Sequence, residues 1–587
     1  MDSLNYIVLV LYFLGLIAVS WLMSRRIKSS EDMFIAGRSS SWWLSGMSTY
    51  MTIFSASTFV VWGGVAFRSG LVAVIIGNLV GVACLITGRW VAGKWRQIKI
   101  NSPGDFIAVR FGKTTVDFYT IAGIIGRGVH TGVALYAIAV VMSTLMTLPE
   151  GHILADANGH LSISCAVIIL GVITLVYTVA GGFLAVLMTD VIQFGVLIAV
   201  VLFMIPLSLH AIGGLDNFIN SPSLPSSYFD LTSTEYPWIW LILWTALNVF
   251  QMGGDWPFVQ RYISVPTARD ARRSNYLVGI LYLFTPVLWY LPAMVYRTIN
   301  PDANPEQAYI LMSQTVLMKG MLGVMLAAMI SATLSCVSGT LNVYANVFTY
   351  QIYGAARPDA SDRSLIKAGR IFTVAFGVAI IAIALLIPFM GGAERVVVTI
   401  LTMVIAPLFI PSVWGLFSRR INGRQVIMAM IVTYVVGITL KFTLAGVVNN
   451  QVLEATIGLL IPVAAMAILQ LRGYLKGYVC PGYAKIEAMD DPQADVAPDM
   501  ATRKAVKSYS FMAINCFLVT LGAIGCLLLY LLCTETYDDA VTSIMWQTCM
   551  VIAVIIAIYL IYRILDARRT NRAEQSDNLT SILTASL

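Results

Sequence analysis

The chain has 587 residues, of which 58% are hydrophobic and 11% charged, with a mean hydropathy of +0.81 and a formal charge of +7. Soluble domains carry about 25% charged residues, so a chain this apolar cannot cover its own surface in water, and lipid must be its main solvent. The eight cysteines (Cys84, Cys165, Cys336, Cys480, Cys516, Cys526, Cys533 and Cys549) form no CxxC pair, and most lie in apolar runs, so neither a zinc site nor a disulfide framework is expected.

From the N-terminus, apolar segments long enough to cross ~30 Å of hydrocarbon as helix recur along the chain. Residues 1–6 carry no basic group, while Arg25, Arg26 and Lys28 follow the first apolar stretch. That is the reverse of a cleavable signal, so 5–24 reads as a retained first span with its N-terminus outside. Further spans are predicted near 43–67, 70–93, 116–148, 161–183, 185–207, 237–257, 276–297, 316–350, 370–389, 395–416, 425–446, 453–471, 509–533 and 543–563. The pattern predicts an all-α polytopic membrane protein of about fifteen spans; a β-barrel would need short alternating segments instead. Residues 473–508 read as a polar cytosolic connector, and 564–587 as a cytosolic tail, disordered beyond 570.

With the N-terminus outside, the expected cytosolic segments hold 31 of the 37 Lys and Arg, and the outer loops near 149–160, 208–236, 447–452 and 534–542 hold none. This is the positive-inside bias. It places the chain in the plasma membrane, as in a bacterial inner membrane, with a cytosolic C-terminus, and it accounts for the net charge without a nucleic-acid partner. The cytosolic RFGKT near Gly112 is no phosphate loop, because position 107 is Ile where a glycine is needed. Four His, none clustered, argue against a membrane-embedded enzyme.

Two spans carry helix-breaking sequence. The second, WLSGMSTYMTIFSASTFVVWGG, has Ser48, Thr49, Thr52, Ser55, Ser57 and Thr58 around its middle. The seventh, NVFQMGGDWPFVQRY, sets Gly253, Gly254, Asp255 and Pro257 where a continuous helix is disfavoured. Irregular backbone in a membrane survives only where it lines a cavity or is buried in protein. The two broken spans stand five spans apart, so they head consecutive five-helix blocks, and an odd block length inverts the second. Small polar residues that merely pack helices remain the alternative. The ninth span adds Ser331, Thr333, Ser335, Ser338 and Thr340. Hydroxyls and freed carbonyls are neutral oxygen donors suited to a monovalent cation.

Five motifs then follow in order: Trp42–Trp43, SPGDFIAVRFG at 102–112, VAGGFLAVLMTDVIQ at 179–193, FVQRYISV at 258–265 and SATLSCVSGTLN at 331–342. With them, the chain resembles the sodium:solute symporter family, which includes sodium-coupled sugar, sialic acid and proline carriers. The resemblance implies a LeuT-type five-plus-five inverted-repeat core that transports by alternating access. Its blocks would be an extra span at 1–30 and a core at 40–420, with repeats at 43–207 and 237–416. Extra C-terminal spans would follow at 425–563. It implies a sodium site formed by the carbonyls of Met51, Phe54 and Ala332 with the side chains of Ser335 and Cys336. A thiol is a poor sodium ligand, so Cys336 weakens that site or a water completes it. It also implies a second sodium site at Asp190, Ser335 and Ser338, although Gly339 stands where another hydroxyl is expected. An Asp190 solvated at the inner mouth is the competing reading.

Arg127 falls near the middle of the fourth span, where an unpaired arginine costs at least ~2.5–3.5 kcal/mol. It must face a cavity, an anion or a polar partner. In sialic-acid carriers of the family an arginine of this helix holds the substrate carboxylate. Ser55, Thr58 and Asn248 fall where relatives contact substrate, with Gln251 one turn on. Gly77 and Tyr282 replace polar residues that bind neutral sugar in other branches. The resemblance therefore implies a sodium-coupled importer of a small polar solute, a sugar and in one version a uronate or sialic acid. A neutral sugar, a polyol, another organic anion, or a channel or solute sensor on the same fold are the alternatives. His130 is expected to pack, Asp255, next to a cytosolic Arg261, to belong to an inner gate or an ion pair, and Arg297, Arg395 and Lys441 to snorkel.

Overall fold

The computed structural model describes residues 3–149, 151–157, 159–318, 320–390, 406–444 and 450–585, so Arg395 and positions 395–405 of the eleventh expected span lie outside it. Among the described residues the regular structure is helical, with only isolated β-bridges. Eleven helices are long and apolar enough to cross a membrane, or twelve when a bent pair counts as one span.

The first helix, α1 (Ser3–Ser24), precedes a short α2 (Ser30–Ile35). The second expected span is the bent pair, α3 (Trp42–Ile53) and α4 (Gly63–Ser69), the latter entered through a π-turn at Thr58–Trp62; its halves meet at 64°. Then come α5 (Leu71–Thr87), α6 (Gly93–Gln97), α7 (Pro103–Phe111) and α8 (Lys113–Leu145). The hydrogen-bonded run α9 (Ile163–Ala211) has 49 residues, about 73 Å of helix against ~30 Å of hydrocarbon. It divides at Gly182, whose φ of 56° and ψ of −155° are not helical. A Cβ there would stand 2.7 Å from the Met33 carbonyl, so the turn needs glycine for conformation and for space.

A short α10 (Leu215–Ile219) leads to α11 (Trp238–Gly254), which stops at one extended residue, Asp255, before α12 (Trp256–Ile263) begins with Pro257 in its first turn. The remaining helices of the first unit are α13 (Ala268–Ile299), α14 (Ala308–Val316), α15 (Met321–Phe348), α16 (Asp362–Leu386), α17 (Ala406–Phe417), α18 (Gly423–Leu444), α19 (Asn450–Leu475) and α20 (Pro481–Glu487). They are followed by α21 (Met500–Thr534) and α22 (Asp539–Ala585).

The chain divides into two compact units, Met1–Ile514 and Asn515–Leu587. In the first, α13 packs on α5 and α3, with α11 on α5; separately, α8, α9, α15 and α16 pack on one another. The α15 span is the axis, with 94% of its most apolar window buried against 22% for α1, whose Leu11 and Leu14 face outward. In the second unit, the end of α21 lies against α22. There the Tyr559 hydroxyl donates to Asn515 Oδ1 at 2.6 Å, and Gly525 lets Ile552 approach. The tail is helical backbone through Ala585, where disorder was expected; no glycine or proline interrupts 539–585.

The polar connector is built into the structure rather than loose. Arg96 Nη1 meets Asp491 Oδ2 at 2.7 Å while its other nitrogens donate to the carbonyls of Val265 and Pro266. Arg110, from the motif at 102–112, donates to the carbonyls of Gly415, Ser418 and Ile421. These arginines act as staples between loops, which explains why they are buried.

Candidate functional site

Two interrupted helices and α15 converge on the polar interior. Ending α3 at Ile53 frees the carbonyls of its last turn, Met51 among them. The N–H groups beyond the break find side-chain acceptors: Ser55 N donates to Thr58 Oγ1 at 3.4 Å, and Ala56 N to Thr333 Oγ1 on α15 at 2.9 Å. At the α11 break the protein supplies donors instead. Tyr262 Oη donates to the Met252 carbonyl at 2.8 Å, and Trp95 Nε1 to that of Gly253 at 2.7 Å.

A cavity of about 190 Å³ lies against the first break. All five residues expected to contact solute line it: Ser55, Thr58, Arg127, Asn248 and Gln251. So do Phe54 and Cys336 of the expected sodium site, with Gly77 and Tyr282. Aromatic rings form much of the wall; Trp240 stacks on Trp244 with centroids 5.1 Å apart, and Trp62 lies 5.5 Å from Trp244. Asn248 is pinned by its amide, which donates to the Trp244 carbonyl at 2.8 Å. His130 also lines the cavity.

Two buried ion pairs lie beside these breaks, each joining residues distant in the chain. Arg127 pairs with Asp255, its Nε donating to Oδ1 at 3.2 Å, and both side chains are nearly inaccessible. Arg261 pairs with Asp190 at 3.6 Å and donates to Ser48 Oγ at 2.9 Å, while Ser48 Oγ also bonds Asp190. Asp255 therefore belongs to Arg127 rather than to Arg261. The chain places Asp255 only six residues before Arg261, but the bend between α11 and α12 sends it to α8. Asp190 has no exposed surface, so it is not an aspartate solvated at the mouth.

Around Asp190 the structure gathers the residues of the expected second sodium site. Ser335 Oγ and Asp190 Oδ1 are buried without a hydrogen-bond partner, and Ser338 Oγ donates to the Ser335 carbonyl at 3.2 Å. Gly339, where a hydroxyl was expected, makes room for Arg261: a Cβ there would lie 3.2 Å from its Nη2. Met51, Phe54, Ala332 and Ser335 are all fully buried where α3 packs on α15.

Sequence reasoning missed Glu454 and Gln451, which line the cavity from α19. Lys441 does not snorkel: its Nζ lies 3.0 Å from Glu454 Oε1. Arg297 packs over Phe67 and donates to that residue's carbonyl at 3.3 Å. Lys441 and Glu454 stand thirteen positions apart on different helices, and no local pattern signals the pair.

Residues 33–433 match the profile of the Sodium:solute symporter family over most of the chain. The chain belongs to that family. This symporter is a multi-pass membrane protein that couples movement of an organic solute to sodium, in a family of transporters rather than enzymes. It is 25% identical to a sodium/glucose cotransporter of Vibrio parahaemolyticus, over 75% of this chain and 86% of that protein. It is also 25% identical to a sodium/sialic acid symporter of Aliivibrio fischeri, over 73% and 86%. A sodium/myo-inositol cotransporter 2 of Mus musculus is 24% identical over 75% and 70%. In fold, the symporter resembles a substrate-bound, outward-open Na+-coupled sialic acid symporter, with a TM-score of 0.69 at 20% identity, covering 82% of this chain and 99% of the other. A nucleobase-cation-symport-1 family transporter follows with a TM-score of 0.50 at 13% identity, covering 78% and 98%.

Proposed function

We propose that this symporter imports a neutral, polyhydroxylated solute, a sugar or cyclitol, driven by one sodium ion per cycle. The observation that carries the solute class is the Arg127–Asp255 pair: the guanidinium facing the cavity already has a buried counterion. Breaking such a pair costs about 3–5 kcal/mol, which an incoming carboxylate would have to offset. Stacked tryptophans suit the apolar faces of a sugar ring, and Ser55, Thr58, Asn248 and Gln251 offer neutral hydrogen bonds to its hydroxyls. Relatives named for glucose and myo-inositol transport support this choice.

Sodium sits between Met51, Phe54, Ala332, Ser335 and Cys336. Its binding orders the break in α3, after which solute occupies the adjoining cavity and the α3, α5, α11 and α13 group rocks against α8, α9, α15 and α16. At Asp190, Ser335 and Ser338 the guanidinium of Arg261 stands in for a second cation, so one ion suffices. Each sodium crossing the membrane contributes about 2.3 kcal/mol per 100 mV.

The topology that goes with this mechanism has fifteen spans in a five-plus-five inverted repeat, with the N-terminus outside and the C-terminus cytosolic. In favour, Gly182 splits α9 into two crossings, α11 is a seventeen-residue apolar helix, and a break heads each block of five. The core then spans 40–420, with 1–30 and 425–563 as additions.

A second reading, a carboxylated sugar, is favoured by Arg127 facing the cavity and by the sialic-acid relative. Proteoliposomes distinguish the readings. Sodium-driven uptake of glucose or myo-inositol that sodium replacement by potassium abolishes, with a reversal potential for one ion per solute, supports the proposal. Uptake of N-acetylneuraminate or glucuronate in their place selects the second reading, and no uptake of any probe removes both.

A further inference from the structure

The family match ends at residue 433, yet the cavity wall continues beyond it with Gln451, Glu454 and Ala455 of α19. This helix packs on α11, which carries Asn248 and Gln251, and on α17 and α18. Glu454 is therefore held by the frame that positions residues already assigned to the solute.

Its carboxylate is used on one side only. Oε1 meets Lys441 Nζ at 3.0 Å; Oε2 is buried and has no hydrogen-bond partner, in a residue that lines the cavity. The side chain is 12% exposed. A buried acceptor left without a donor costs about 1–3 kcal/mol, and more when charged. A donor on a solute that occupies the cavity would complete it. Lys441 holds the carboxylate in one orientation and offsets its charge, so Oε2 keeps a fixed direction without making the site anionic. A carboxylate oxygen is acceptor-only, so its ligand must bring a donor, and a solute hydroxyl brings one.

We propose that Glu454 is a specificity-determining residue of this symporter, accepting a hydrogen bond through Oε2 from one hydroxyl of the polyhydroxylated solute. Lys441 at the end of α18 and the whole of α19, beyond the family match, thus contribute the selective contact, while the core supplies sodium coupling. This rests on the neutral-solute reading above.

A bare structural role for the Lys441–Glu454 pair predicts different behaviour, and a double-mutant cycle separates the two. Glu454→Gln keeps the shape and places an amide where the second oxygen stood. Wild type and variant are compared for sodium-driven uptake of glucose, myo-inositol and their monodeoxy analogues. A charge-assisted bond is worth ~1.5–3 kcal/mol, so KM for the preferred solute should rise about tenfold or more in the variant. Removing one particular hydroxyl from the solute should cost the wild type a similar factor and the variant almost nothing. Sodium binding measured without solute should not move. Equal losses for every analogue in both proteins, or an unchanged KM, overturn the inference and leave the neutral-solute reading standing. If wild type takes up none of these probes, that reading falls instead. Should Glu454→Gln fail to fold, the same cycle is run on Lys441→Gln/Glu454→Gln, which removes both charges together and must show the same non-additivity.

Discussion

The two helix interruptions are built by opposite means. At the α3 break two residues, Phe54 and Ser55, leave the helix, the halves meet at 64°, and neutral oxygens of Thr58 and Thr333 accept from the freed N–H groups. Nothing charged belongs to that segment. At the α11 break a single residue is extended, the freed carbonyls of Met252 and Gly253 receive donors from Tyr262 and Trp95, and the breaking residue is itself an ion-paired aspartate. When the protein satisfies N–H groups, it leaves carbonyls to a cation. When it satisfies carbonyls, it closes the break against one. The first interruption is suited to bind, the second to hold two helices together at the floor of the cavity.

The comparison breaks most severely at Asp255. Asp255→Asn should strand Arg127 and cost about 3–5 kcal/mol of stability, read as a fall in unfolding temperature of the purified protein. The paired change Arg127→Gln/Asp255→Asn should recover most of it. A single variant as stable as wild type would show that charge does not hold this break.

Thr333→Val tests the first break, where it removes the acceptor for Ala56 N with little change in volume. The expected cost is about 1–3 kcal/mol, seen as weaker sodium binding in a titration without solute. If stability falls while sodium affinity stays the same, the order of this segment is not what the ion needs.

The smallest effect is expected at Cys336. Exchanging a soft sulfur for a hard oxygen with Cys336→Ser should tighten sodium severalfold, up to about 1 kcal/mol. Weaker binding would show that this side chain does not face the ion.

The wider outline was legible before any coordinates. Composition required lipid, and Gly253, Gly254 and Pro257 marked one break as surely as the hydroxyl-rich 48–58 marked the other. The boundary expected between spans 161–183 and 185–207 falls within two residues of Gly182, where the helical run is interrupted in a backbone that only glycine tolerates against Met33. The five solute candidates that the family resemblance implied line one cavity.

What remained hidden was pairing. The sequence by itself put Arg127 and Asp190 inside expected spans and Asp255 at a helix break, since span length and hydropathy are local properties of the chain, but it counted Arg261 among the cytosolic residues. It could not determine which would meet. Asp255 stands near Arg261 in sequence, yet a bend at one residue turns it to α8, and Gly339 clears the space that brings Arg261 to Asp190. Likewise Lys441 and Glu454 meet only because α18 returns as α19 beside α11. Charge pairing depends on distances of a few ångströms between helices far apart in the chain, and only their packing sets those distances.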